Sequence, residues 1–400
     1  MEIEKLIYKE KQNCTGCIAC VNSCPKKCIS IKTDREGFWY PLINHEICIQ
    51  CGNCDYSCPM LSDLDNFKNE CNDIYAAINK DNNIRQSSSS GGMFQLLAEN
   101  ILDSGGIVFG AMFNDKWEVV HGYAENIDQL CRFRGSKYVQ SYIGETYQLA
   151  EKNLKLGRKV LFSGTPCQIV GLKRYLRKEY EKLITVDLVC HGVPSPLVWQ
   201  KYITFCSNGR KIYNIIFRNK KISWERYLIE FDFENSSTYQ MPFDKDLYLK
   251  GFLSNLYLRP SCYSCRFKGV DRESDITLAD FWGIDEILPD MNDHKGTSLV
   301  LLHTKKGDKI FSEIQNKIRV KKMNLYLNKI IEYNSSIIES AIYNPKKEKF
   351  FKELNNGKLS VNILIDKYTK TNINKRIYQN MRRKAASIKI LKKIYRKILK

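Results

Sequence analysis

From residue 74 onward the chain alternates short apolar runs with amphipathic stretches of helical period. Residues 74–78 read as a short strand, followed by a polar loop ending in Ser87-Ser88-Ser89-Ser90-Gly91-Gly92. Phe94, Leu97, Ala98, Ile101 and Leu102 then fall at i, i+3, i+4, i+7 and i+8, the spacing of a helix with one apolar face. Gly105-Gly106 stops it, and residues 107–113 resume as a strand. From Arg158 the order strand, turn, helix occurs twice. The first copy is a strand at 160–162, the turn Ser163-Gly164-Thr165-Pro166 and a helix over 167–177. The second is a strand at 183–189, a turn from Cys190 to Pro196 and a helix over 197–206. Such alternation predicts a parallel or mixed sheet flanked by helices. Further strands are expected at 212–217, 227–233, 276–279 and 298–303, and beyond Lys305 the pattern is mostly helical.

In residues 1–62 cysteine sets the rhythm instead. Cys14, Cys17, Cys20 and Cys24 have the spacing C-x2-C-x2-C-x3-C and are followed by Pro25. Cys48, Cys51, Cys54 and Cys58 repeat it and are followed by Pro59. Three thiolates at x2 intervals wrap one face of an iron–sulfur cube, and the fourth, set off by the x3 step, reaches the neighbouring cube. The spacing therefore assigns Cys14, Cys17, Cys20 and Cys58 to one [4Fe–4S] cluster and Cys48, Cys51, Cys54 and Cys24 to the other. Zinc knuckles would call for C-x2-C pairs across a longer loop, often with histidine, and the nearby His45 lies outside the ligand run. The stretch Gly37-Phe38-Trp39-Tyr40-Pro41 joins the two repeats like a hairpin, and the polar residues 62–73 read as a linker.

Four hundred residues suggest two or three domains, and a hydrophobic share of 43% is enough for a sizeable core. The charged first ten residues lack the apolar segment of a secretion signal, and no apolar run approaches the ~20 residues that span a bilayer. Sixteen cysteines in an unexported chain argue for thiolate ligands in a reducing cytoplasm. Of the net charge of +19, more than half sits in residues 371–400, which hold eleven Lys or Arg and no Asp or Glu. The body is thus only mildly basic, and nucleic acid is not an expected partner. In that last segment Ile377, Met381, Ile388, Leu391, Tyr395 and Ile398 recur every three to four residues with a gap at the alanine pair 385–386. This is a basic amphipathic helix, suited to an anionic membrane face or an acidic partner, or else docked on the body with a solvated cationic side.

Four more cysteines form a candidate site in the body. Cys167 and Cys190 follow expected strands, at the sheet edge where ligands collect in open α/β folds. Cys262 and Cys265 make a C-x2-C pair in the loop Arg259-Pro260-Ser261-Cys262-Tyr263-Ser264-Cys265. Together they supply four soft ligands, enough for a third [4Fe–4S] cluster or for zinc. Spacing alone leaves these even, with two structural cysteines beside an unrelated knuckle as a further reading. Cys28, Cys71, Cys131 and Cys206 lack partners at ligand spacing and read as small buried hydrophobes.

Five segments resemble the beta subunit of coenzyme F-420 hydrogenase and dehydrogenase. They are Ser89-Ser90-Gly91-Gly92-Met93-Phe94, Arg134-Gly135-Ser136-Lys137-Tyr138-Val139-Gln140-Ser141, Gly164-Thr165-Pro166-Cys167-Gln168, Cys190-His191-Gly192-Val193-Pro194-Ser195, and Cys262-Tyr263-Ser264-Cys265 leading to Ala279-Asp280-Phe281-Trp282-Gly283. The resemblance spans roughly residues 74 to 330, and the dicluster module ahead of it is similar to that of dehydrogenase-type members. It implies non-covalent FAD, a cluster close to it, and a hydride-accepting substrate oxidised or reduced at the flavin. Carried over, Cys167, Cys190, Cys262 and Cys265 become ligands of a third cluster. Ser89, Ser90, Gly91 and Gly92 become a flavin-contacting loop, where glycine lets the backbone approach a phosphate and a helix start favours the anion. Thr165 and Asp280 join as cofactor-binding residues, with Trp282 beside the flavin or in the core. Lys137 is the cation expected near the flavin ring, where it would stabilise the reduced anion. A solvated surface lysine is the plain alternative. His191 is a candidate proton donor or a hydrogen-bond partner of cluster sulfur.

The expected fold is α+β: a dicluster ferredoxin domain over 1–62, a flavin-binding α/β body with a mixed sheet over 74–150 and 151–330, and a helical basic tail over 331–400. The expected function is an iron–sulfur flavoprotein oxidoreductase acting on a deazaflavin-like or other organic substrate. The alternative is a non-catalytic relay subunit feeding a redox partner protein. A membrane-surface scaffold with structural clusters is disfavoured. No GxGxxG fingerprint supports a dinucleotide site of the Rossmann kind. The expected location is the cytoplasm, with the tail able to reach the inner membrane face.

Overall fold

The computed structural model describes residues 2–4, 10–61 and 69–370. The basic helix expected at 371–400 and most of the expected linker lie outside them. In the cysteine module β1 (Ile29–Thr33) and β2 (Trp39–Ile43) form an antiparallel hairpin. Next come β3 (Asp73–Asn79), β4 (Ile107–Phe113), β5 (Val119–Ala124), β6 (Val160–Gly164) and β7 (Leu183–Leu188). A separate antiparallel sheet follows, made of β8 (Ile212–Asn219), β9 (Leu228–Phe233) and β10 (Thr238–Pro242). The strands β11 (Ile276–Asp280), β12 (Ser298–Leu302) and β13 (Ile318–Lys322) then complete an eight-stranded sheet of order β13-β3-β12-β11-β7-β6-β4-β5. Within it β4, β6, β7 and β11 are parallel and the other pairings antiparallel, so the sheet is mixed.

Alternation along the central strands explains why helices cover both faces. Val108 and Leu161 pack with Leu97 and Ile101 of the helix Met93–Asp103. Their neighbours Ile107, Phe109, Val160 and Phe162 pack the other way, against Tyr147 and Ala150 of the helix Thr146–Lys155 and Ile169 and Leu172 of the helix Pro166–Leu176. Cys17, Ile18 and Ala19 belong to this second cluster, so the cysteine module shares a core with the sheet. The hairpin turn is anchored too: the Ser195 hydroxyl donates to the Glu36 carbonyl, and Lys347 pairs with the Glu36 carboxylate.

The small sheet builds its own core with Trp199, Tyr248, Phe350 and Leu364. The last two lie on the helices Lys347–Asn356 and Val361–Thr369, so residues up to 370 pack with the body instead of standing apart as a tail. The strand β13 falls where a helical run is expected. Its sequence Ile-Arg-Val-Lys-Lys has the alternation of an edge strand, and Ile318 is its one fully buried side chain. Because β6, β7 and β11 are parallel, their C-terminal ends share one sheet edge, where Cys167, Cys190 and Asp280 emerge.

Candidate functional site

The two cysteine runs cross over. One cavity is lined by Cys14, Cys17, Cys20 and Cys58, with Ile3, Pro41 and Met60 around them. The other is lined by Cys24, Cys48, Cys51 and Cys54, and by Cys28. Each repeat turns through a left-handed residue between its second and third cysteine: Gly52 at φ 72° and, in the first repeat, Ile18 at φ 49°. Glycine adopts this freely, whereas a β-branched residue there is strained, and Ile18 is held by burial in the sheet-face core. Burial raises the pKa values of Cys17, Cys20 and Cys58, and neighbouring sulfurs add to it. Such thiols become thiolates when iron takes the place of their protons.

Cys28 departs from the bland expectation. It is buried, but its sulfur faces the second cavity, 3.3 Å from Cys24 Sγ, and its N–H donates to that sulfur at 3.3 Å. Five sulfurs therefore surround a site for which the spacing supplies four.

The second four-cysteine set also comes together. Cys167 starts the helix after β6, behind Thr165 and its reciprocal capping bonds with Gln168. The Thr165 hydroxyl lies 3.2 Å from Cys167 Sγ, which places this residue with the sulfurs. Cys190 follows β7, Cys262 lies within the tight turn Pro260–Ser264, and Cys265 closes it. The N–H of Val193, two residues beyond His191, donates to Cys262 Sγ at 3.4 Å. Burial raises Cys190 to about 11 and Cys262 to about 12, and the sulfurs of Cys190, Cys262 and Cys265 feel one another's charge. Cys167, also raised by burial, feels Cys265, Cys190 and Cys17.

The Cys17 interaction shows where this set lies. Gly171, one turn into the Cys167 helix, faces Cys17 so closely that a Cβ there would be 3.1 Å from its sulfur. Met60, which lines the first cavity, packs against the same Val170–Phe267 pair as Cys167 and Cys265. The body's four cysteines thus abut the first ferredoxin-type cavity.

The remaining expected residues gather at a different place, apart from His191. Ser89 Oγ meets Ser136 Oγ at 2.7 Å and accepts the Ser136 N–H, which brings the serine loop beside Lys137. Ser90 Oγ donates to the Thr297 carbonyl at 2.8 Å, and the Gly91 N–H donates to Ser298 Oγ at 2.9 Å. A Cβ on Gly91 would collide with the Ala77 carbonyl, and Gly92, at φ 84°, caps the helix that follows. The glycines therefore let the loop seat on β3 and β12. Lys137 Nζ donates to the carbonyls of Arg134 and Gly135 at 3.1 and 3.2 Å, and burial lowers its pKa to about 7.

Asp280 is already engaged by Arg218 and by Trp224 Nε1. Trp224 in turn stacks on Trp282 at 4.7 Å. Lys220, unmarked by any motif, lies buried with Nζ donating to the carbonyls of Arg85 (2.6 Å), Ser90 (2.9 Å) and Lys295 (2.7 Å). Burial, with Arg218 and Arg85 adding, lowers it to about 7, although three acceptors match the three N–H bonds of an ammonium. Three buried cations, Arg85, Arg218 and Lys220, thus stand against two carboxylates, Asp293 and Asp280. His191 sits instead beside Cys190, its Nε2 2.6 Å from Asn255 Oδ1 and its ring edge-on to Phe252, and burial lowers its pKa.

Comparison with known proteins identifies the family of the body and of the cysteine module. Residues 74–146 match the N-terminal part, and residues 157–326 the C-terminal part, of the coenzyme F420 hydrogenase/dehydrogenase beta subunit. Residues 13–61 match a 4Fe-4S dicluster domain. The ketoisovalerate oxidoreductase subunit VorC of Methanothermobacter marburgensis is 34% identical over 62 residues, 15% of this chain and 78% of that protein. A solved chain of the F420-reducing [NiFe] hydrogenase complex of Methanosarcina barkeri is 18% identical with a TM-score of 0.46, covering 70% of this chain and 98% of that one. The chain belongs to the coenzyme F420 hydrogenase/dehydrogenase beta subunit family and carries a 4Fe-4S dicluster domain ahead of the family's own two parts.

Proposed function

We propose that this chain is an iron–sulfur flavoprotein oxidoreductase that moves electrons between two ferredoxin-type [4Fe–4S] clusters, a third [4Fe–4S] cluster and FAD, and exchanges hydride with an organic substrate. One observation carries the reading: the Cys167 helix lies on the first cavity, with Gly171 against Cys17. Electrons arriving at the second cavity, where Cys51 is exposed, would pass to the first and then to Cys167, Cys190, Cys262 and Cys265. When bound, the clusters would supply one-electron carriers and FAD the two-electron exchange with substrate.

The chain's residues suit these groups. Four buried sulfurs in the body are the soft donor set a cube takes, and zinc is the rival for the same shell. The excess of buried cations under the Ser89–Gly92 loop suits the phosphates of a dinucleotide, with Lys220 beneath Ser90 and Lys137 beside Ser136. His191, next to Cys190, is better placed to hold the cluster's surroundings than to hand a proton to flavin. The cytoplasm and a redox partner protein are part of the proposal, and residues 371–400 are proposed to meet an anionic surface. Among the described residues no helix is long and apolar enough to cross a membrane.

The second reading, a relay subunit that binds no small substrate, draws on the exposed Ile49, which lines the second cavity beside the exposed Cys51 and suits contact with a protein partner. Anaerobic purification with metal and flavin analysis tests both. The full proposal expects about twelve iron, about twelve sulfide and one FAD per chain. About eight iron with roughly one zinc removes the third cluster. Full cofactor content without dithionite-driven turnover of any small acceptor leaves the relay.

A further inference from the structure

Arg259 precedes the Cys262–Cys265 turn, yet its side chain crosses into the ferredoxin-type module and is completely buried. Nε donates to the Cys14 carbonyl at 2.8 Å, and Nη2 donates to the Trp39 carbonyl at 2.9 Å and reaches Cys14 Sγ at 3.5 Å. Nη1 donates to Gln140 Oε1 at 3.1 Å. The guanidinium also lies 4.5 Å from the Tyr40 ring centroid. The fit is close on all sides: a Cβ on Gly16 would come within 2.8 Å of Nη1 and 2.9 Å of the guanidinium carbon. The residue's own carbonyl accepts the Cys262 N–H at 2.9 Å, so it is fastened to both cysteine sets.

A guanidinium keeps its charge in a protein, and a buried charge needs an opposite one. Among the described residues no carboxylate pairs with Arg259; the acidic groups acting on it are Cys14, Tyr40 and Cys262. A bound cluster would supply the counter-charge, because its metal would hold the Cys14 sulfur, 3.5 Å from Nη2, as an anion. Among the described residues the twin cavity has no buried cation that donates to a ligand cysteine: Lys26, which lines it, is exposed, and so is Arg177, which donates to the lining residue Asn53 at 2.8 Å.

We propose that Arg259 sets the redox potential of the cluster at Cys14, Cys17, Cys20 and Cys58, holding it above that of the cluster at Cys24, Cys48, Cys51 and Cys54. An added electron on the first cluster is stabilised by a fixed neighbouring cation in a water-poor site, and one on the second is not. The two cubes, alike in ligands, become unequal, and electrons drain toward the body. Arg259 is a positioning and tuning residue here, and it would act on the Cys14 site whether or not Cys262 binds a cluster.

Redox titration of the full chain, followed by electron paramagnetic resonance, tests this. Arg259→Gln is expected to keep its iron and to lower the potential of one ferredoxin-type cluster while leaving the other in place. Arg259→Lys, which keeps the charge, is expected to restore most of the difference. The same shift is expected in a Cys262→Ser background, which separates this result from any failure of the third cluster. Two unmoved potentials in Arg259→Gln with full iron content would overturn the proposal. Should Arg259→Gln shed iron, Arg259→Lys decides: a retained cluster whose potential falls to that of its twin would equally overturn it.

Discussion

Cys28 Sγ lies 3.3 Å from Cys24 Sγ, closer than two ligands of one cube need to be, and its backbone is fixed where β1 begins, with its carbonyl accepting the Asn44 N–H at 2.8 Å. A spare sulfur held this near a ligand can replace it with little movement. Cys24→Ala is therefore expected to retain most of its iron, with an altered paramagnetic signal from one cluster. The double variant Cys24→Ala with Cys28→Ala is expected to lose about four iron per chain. Equal iron loss in the single and double variants would show that Cys28 cannot take the ligand's place.

Gly171 marks the contact between the cysteine module and the body. An ordinary helix-interior glycine gains about 1 kcal/mol on substitution by alanine. Here the new Cβ would sit 3.1 Å from Cys17 Cβ, Cys17 Sγ and Tyr147 Oη, so that gain should be cancelled by crowding. Gly171→Leu overpacks the contact and should cost about 1–3 kcal/mol. It should also slow reduction of the flavin proposed for the body by dithionite-reduced clusters without changing iron content. Thermal unfolding and stopped-flow absorbance read the two effects. A stabilised Gly171→Leu protein with normal transfer would mean that the module docks elsewhere.

The cysteine spacing made the crossed pairing of the two runs legible, because ligand order along the chain constrains which sulfurs can face one cavity. It could not reveal Cys28, whose approach to Cys24 depends on the turn between them. The central strands were legible because residues such as Phe109 and Phe162 lie in short, wholly apolar runs. The strand β13 was not, since only Ile318 is buried and Lys321 and Lys322 read as solvent-facing helix. Arg259 and Lys220 look like surface cations in sequence. Their burial depends on acceptors 75 to 245 residues away along the chain, which no local pattern records. The Ser89–Gly92 loop was legible as a special turn, but both of its serine hydroxyls and the Gly91 N–H bond to Ser136, Thr297 and Ser298.

Acid should weaken the fold through His121. This imidazole is buried, its Nε2 donating to the Ser163 carbonyl at 3.0 Å and its Nδ1 3.0 Å from Ser141 Oγ. Burial lowers its pKa from 6.5 to about 4. The unfolded chain therefore takes up the proton first. The stabilisation is complete above pH 6.5, declines as pH falls toward 4, and changes no further below that. The full effect is roughly 3 kcal/mol, of which about 1.4 kcal/mol should be lost by pH 5.5. Urea unfolding at pH 7.5 and 5.5 should show that loss in the parent protein and less of it in His121→Gln. An equal pH dependence in the two proteins would place the titrating group elsewhere.

The last prediction concerns residues 371–400. The cut must follow Lys370, because Tyr368 is buried, its hydroxyl donates to Glu353 at 2.9 Å and its carbonyl accepts from Lys346 Nζ at 2.9 Å. A chain ending at Lys370 should keep its iron and the proposed flavin, since every candidate ligand lies before Asp285. If the removed segment binds membranes, the intact chain should sediment with anionic vesicles and the shortened one should not. Eleven basic residues, each worth up to about 1 kcal/mol near an anionic surface, would dominate at low salt. That attraction should fade as the screening length falls from ~10 Å at ~0.1 M salt to ~3 Å at ~1 M. A salt-resistant remainder would measure insertion by Ile388, Leu391 and Ile398. A shortened chain that aggregates or sheds its cofactors would instead assign the segment to the body, with its cationic side turned to solvent.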